Sequence, residues 1–122
     1  MHTDNRAQIY RLMGDLLMAI QGGALPALAQ YGISPAIYQE ILEELDDSGQ
    51  ALAELALPPL ERAFSADRTG RVAFDCYPTA NGSTRVACQL WSAGRPGELT
   101  LLADYPQSQD GPLLLFRLLE VQ

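Results

Sequence analysis

The sequence predicts an α+β fold, with N-terminal helices packed on a C-terminal, four-stranded, antiparallel curved sheet. Three observations predict it. Apolar residues recur with a period near 3.6 in the first half of the chain, and from Arg71 onward the period becomes 2. Between two of the alternating runs stands Asn81-Gly82, a strong hairpin signal because both residues tolerate positive φ. The 122 residues, 48% of them hydrophobic and 19% charged, suffice for one domain (1–122) and exclude disorder as the dominant state. The helical half is expected over about 4–64 and the sheet over about 70–121.

The first helix is carried by Ile9, Leu12, Met13, Leu16, Leu17 and Ile20, a single stripe at helical spacing. Thr3 or Asp4 is its expected cap, and Gly22-Gly23 stops it. A short second helix, Ala24–Gln30, is expected to turn Leu25 and Leu28 inward. Ser34-Pro35 reads as a cap followed by proline at the first helical position. The third helix then buries Ile37, Tyr38, Ile41, Leu42 and Leu45 and ends near Asp46-Asp47, whose charges oppose the helix dipole. A further short turn, capped by Asp47 or Ser48, is expected through Leu55, and Pro58-Pro59 closes the helical half.

In the second half, Val72, Phe74 and Cys76 share one face of the first strand, and Val86, Cys88 and Leu90 one face of the second, Thr84–Trp91. Gly94-Arg95-Pro96-Gly97 reads as the next turn. Glu98–Tyr105 follows as a third strand with Leu99, Leu101 and Ala103 aligned. After a polar connection, Pro106–Pro112, the run Leu113–Val121 reads as a fourth strand, with helix as the alternative.

The formal charge is −7, which argues against nucleic acid as a partner. No apolar run is long enough to span a bilayer, and Met1–Tyr10 carries no secretory pattern, so a cytoplasmic protein is expected. The charge is one-sided. Up to Glu61 there are nine acids and two bases, whereas from Arg62 onward six arginines balance six acids. Glu40, Glu43, Glu44 and Asp47 fall mainly on the outer side of the third helix. They read either as a solvated face or as a docking surface for a basic partner.

Catalytic and metal-ligating residues are harder to find. The one histidine is His2, so no Ser–His–Asp or Cys–His arrangement can be built, and no phosphate loop or dinucleotide fingerprint is present. No metal site, cofactor or catalytic residue is expected. Cys76 and Cys88 read as two inward, reduced thiols on neighbouring strands. Tyr77 and Trp91 fall on the opposite face with Arg85 nearby, a mixture of aromatics and arginine found at protein–protein interfaces.

The order of elements resembles the nuclear transport factor two-like superfamily of cystatin-like α+β rolls. It is more closely similar to a group of small bacterial domains within it. The residues that carry the likeness are Leu90-Trp91-Ser92, Gly94-Arg95, Glu98-Leu99-Thr100-Leu101 and Leu118-Leu119-Glu120-Val121, with Gly22-Gly23 and the Leu25/Leu28 segment after the first helix. Pro96-Gly97 departs from the group's turn, and the histidine usual near the C-terminus is missing. The resemblance implies a small acidic interaction domain, in the form of an immunity protein that binds and neutralises a basic toxin domain. Glu40, Glu43, Glu44, Asp47, Tyr77, Arg85 and Trp91 are its expected partner-binding residues. The alternative it implies is a ligand-binding or steroid-isomerase-like member with a ligand in the cone. Such members set an aspartate base against tyrosine and a protonated aspartate; here Tyr10 on the first helix and Asp75 or Asp104 on strands would be the residues to recruit.

Overall fold

The computed structural model describes residues 2–80, 82–105 and 113–121, with side chains from Arg6 onward. The order is α1 (His2–Gly22), α2 (Leu25–Gln30), α3 (Pro35–Ser48), a 3-10 turn (Leu52–Glu54), β1 (Leu55–Ala56), α4 (Leu60–Ala63), β2 (Phe74–Pro78), β3 (Thr84–Ser92), β4 (Arg95–Tyr105) and β5 (Leu115–Val121). Helices precede an antiparallel sheet, so the fold is α+β. α1 already runs from His2, so Thr3 and Asp4 lie within the helix and do not cap its start, while the connection Pro106–Pro112 lies outside the described residues.

Among the described residues the sheet has five strands rather than four. β2, β3, β4 and β5 form an antiparallel meander. β1 is the strand that periodicity missed. It pairs Leu55 with Ser92 and Ala56 with Trp91, along the β3 edge whose earlier part pairs with β2. Two residues are too few to show a period. The segment is held from outside: Gln21 Nε2 on α1 donates to Leu52 O at 3.0 Å and to Leu55 O at 2.9 Å. The short turn expected through Leu55 is a 3-10 turn over Leu52–Glu54 that starts from Ala51, since Asp47 and Ser48 belong to α3, and Leu55 itself begins a strand. Pro58-Pro59 does not end the helices either, since α4 starts directly after it.

All six stripe residues of α1 are buried, with Met13 and Leu16 fully enclosed. They pack on the inner face of the sheet, where Phe74, Val86, Cys88, Leu90, Leu99, Leu101, Ala103 and Leu119 are buried. Tyr10, Phe64 and Phe74 form an aromatic cluster joining α1, the end of α4 and β2, with ring centroids 5.1–6.5 Å apart. Tyr10 Oη donates to Pro58 O at 2.6 Å, and Tyr38 Oη on α3 donates to Ile20 O at 2.9 Å. In α2 only Leu28 is buried. Leu25 is 50% exposed, because it stands at the first helical position, on the solvent side of this short helix.

Ser34 caps α3 as expected, its hydroxyl accepting from Ile37 N at 3.2 Å, and Gly49 at φ 70° ends it. In the sheet, the β3–β4 hairpin turns at Ala93-Gly94, with φ 54° and 79°, and β4 begins at Arg95. That replaces the turn expected at residues 94–97. Two positive φ values match the twist of a two-residue hairpin, which Gly-Arg-Pro-Gly does not provide. Gly97 serves another purpose. It lies where the β3–β4 register shifts, and a Cβ there would sit 2.8 Å from Leu90 O. Of the two cysteines, Cys88 is buried but Cys76 only half so.

Candidate functional site

α3 lies beside β5, and its carboxylates separate into two rows four residues apart. Glu40 and Glu44 line a groove of about 350 Å³ between α3 and β5, together with Ile37, Ile41, Phe116, Arg117, Leu118 and Leu119. Glu43 and Asp47 are exposed, as is Glu40, while Glu44 is half-buried and takes Ser48 Oγ onto its backbone oxygen at 2.7 Å. Among the described residues none of these four carboxylates forms an ion pair. The nearest cation along the groove, Arg117, is turned to Asp104 instead, Nε to Oδ2 at 3.5 Å. It can reach that far because it is the bulged residue of β5: Leu102 pairs with Leu118 and Ala103 with Phe116, leaving Arg117 extra.

The outer face of the sheet is a second surface. Tyr77, Arg85 and Asp104 are cross-strand neighbours on β2, β3 and β4. Arg85 Nε donates to Asp104 Oδ1 at 2.8 Å, so this arginine is already neutralised, and the bond favours its charged form. Six residues further along β3, roughly 20 Å away at strand rise, Trp91 lines a trough of about 420 Å³ with Arg62, Asp67, Arg71, Gln89 and Pro96. Its indole Nε1 is buried without a hydrogen-bond partner. Asp67 folds the loop on this rim: Oδ1 accepts from Thr69 N at 2.8 Å, Thr69 Oγ1 at 2.6 Å and Arg71 N at 3.0 Å. Those bonds, led by the Thr69 hydroxyl, hold its carboxyl below the usual range.

The seven expected partner-binding residues thus occupy two surfaces. Glu40, Glu43, Glu44 and Asp47 belong to α3 beside β5. Tyr77, Arg85 and Trp91 belong to the outer face, with Tyr77 and Trp91 at opposite ends of it. Comparison of the chain with protein-family models, curated proteins and solved structures finds no match. The site therefore rests on its own geometry.

That geometry brings neither Asp75 nor Asp104 to Tyr10. Tyr10 is on α1 with its hydroxyl on Pro58 O, and burial pushes its pKa up. Asp104 is on the outer face between Arg85 and Arg117, and Asp75 is exposed on β2. The inner face, where a cone would hold its ligand, is filled by Met13, Leu16, Phe74, Val86 and Leu101. Sequence reasoning missed three features that matter here: the Arg117 bulge, Asp104 as the partner of both arginines, and the groove along β5. Each depends on strand register, for which no local signal exists.

Proposed function

We infer that the chain is a small acidic protein-interaction domain that docks a partner with a basic surface. An immunity protein that neutralises a cognate toxin in the bacterial cytoplasm is the form of this function that the sequence resemblance implies. The observation that supports the reading is the uncompensated charge of α3. Five carboxylates and no base stand on one helix of 14 residues, and no arginine among the described residues pairs with them. Like charges four residues apart are unfavourable for the helix itself, by about 0.2–0.5 kcal/mol per pair. A cationic partner would relieve that repulsion on binding and would be steered to this face during encounter.

The test uses two baits, the wild-type protein and the Glu40→Lys/Glu43→Lys/Glu44→Lys/Asp47→Lys variant. The wild type is expected to retain a basic protein that the variant releases. Equal capture by both contradicts the reading. Loss of capture on Tyr77→Ala, with α3 intact, would move the interface to the outer face.

One observation favours a second reading, a small molecule held by the sheet. The Trp91 trough combines an aromatic wall with Arg62 and Arg71. A ligand there would lie outside the sheet and not in the cone. Quenching of the single tryptophan by a bound compound would identify it.

A further inference from the structure

β5 ends the strand order, so among the described residues one of its edges meets no other strand. The start of that edge is occupied, because Phe116 N donates to Tyr31 O at 2.9 Å. The Arg117 bulge comes next. Beyond it, Leu118 and Leu119 border the groove of about 350 Å³ against α3, and β5 runs on to Val121. Leu118 and Val121 are 47% and 46% exposed. Exposed apolar edges attract other chains, and proteins ordinarily blunt them with charge, bulges or a cover. Here the bulge and the arginine protect the beginning of β5; its end carries one charge, the acidic Glu120, and meets no strand among the described residues.

We propose that the open edge of β5, from Leu118 to Val121, and the α3 groove beside it take up an extended segment of a partner protein in which apolar and basic residues alternate. The proposal rests on the reading of this chain as a docking domain for a basic partner, and adds the way the partner is held. A strand paired to β5 sends alternate side chains to opposite faces. One row lies next to Leu118 on the outer face. The other enters the groove, where Ile37 and Ile41 are apolar and Glu40 and Glu44 are charged. Lysine or arginine satisfies both requirements, since its stem covers apolar surface while its head reaches a carboxylate. Main-chain bonds supply affinity, and the side-chain rows supply specificity.

A second copy of this chain is the competing occupant, and charge disfavours it. Pairing β5 with β5 would draw two α3 helices to one interface. Each brings five carboxylates and no base. Like charges across an interface oppose assembly.

The test titrates three capped octapeptides into the protein while backbone amide shifts are recorded. The first alternates valine and lysine. The second replaces every lysine with glutamate. The third is the first with alternate amides N-methylated along one edge, so that charge is kept and strand pairing is blocked. The first should bind and perturb residues 117–121 together with α3. The second should not bind, and the third should bind at least about tenfold more weakly, a difference of about 1.4 kcal/mol. Equal binding of the first and third overturns strand pairing and leaves the acidic docking face standing. Equal binding of the first and second overturns the docking face itself. Binding by none of the three, or dimerisation of the free protein through β5, overturns the assigned occupant.

Discussion

Helices α1 and α3 are both amphipathic, and they do different work. α1 gives its whole stripe to the core. Tyr10 and Gln21 fasten it to the segments flanking β1, and Tyr38 fastens α3 to it. α3 fully buries only Ile41 and Leu45; Ile37, Tyr38 and Leu42 are half-buried, and much of its remaining surface is carboxylate. α1 closes the inner face of the sheet, whereas α3 stands beside the terminal strand, where one sheet edge is open. The difference teaches that folding stability and surface charge are carried by separate elements. The charge of α3 can therefore change without cost to the core.

The largest effect expected from this contrast is at Leu16. Leu16→Ala should destabilise the protein by about 2–5 kcal/mol, through lost burial and a residual cavity. Ile37→Ala on α3 should cost clearly less, about 1 kcal/mol, since the side chain is only half withdrawn from water. Urea unfolding of the two variants measures the difference, and equal midpoints would break the comparison. Next in size is the joint between the helices. Tyr38→Phe removes the donor to Ile20 O and should cost about 0.5–1.5 kcal/mol by the same measurement.

The closure provided by α1 can be probed at the two cysteines. Burial pushes both thiols up, most strongly that of Cys88. Both should react slowly at neutral pH, because the thiolate is the reactive form. Cys76, half-buried, should be labelled first, and Cys88 only when the protein unfolds. Similar labelling rates for the two would show that the inner face opens in the native state.

Much of this contrast is legible in the sequence. The α1 stripe is an unbroken helical pattern, and every one of its members is buried. The alternation in β2, β3 and β4 correctly separates Val86 and Cys88 from Tyr77 and Trp91. β1 was not legible, since it depends on the edge of β3 and on Gln21, 31 and 34 residues away from its acceptors. The Ala93-Gly94 turn was hidden by the stronger glycine and proline signals after it. The acidity of α3 is plain from composition, but its position beside an open edge is a fact of topology. Arg85 carried no mark of its pairing with Asp104, 19 residues further on.

The central claim is that the carboxylates of α3 serve encounter with a partner and not the fold. Its most direct measurement is the association rate against ionic strength, for the wild type and the Glu40→Lys/Glu43→Lys/Glu44→Lys/Asp47→Lys variant, with the basic protein that the wild-type bait retains. Both proteins should unfold within about 1 kcal/mol of each other, because three of the four charges are exposed and the half-buried Glu44 has no ion pair to lose among the described residues. The wild type should associate faster at low salt, by roughly 10–1,000-fold, and should lose that advantage as salt screens the field. Equal rates with equal salt slopes would contradict the claim and leave α3 as a solvated helix.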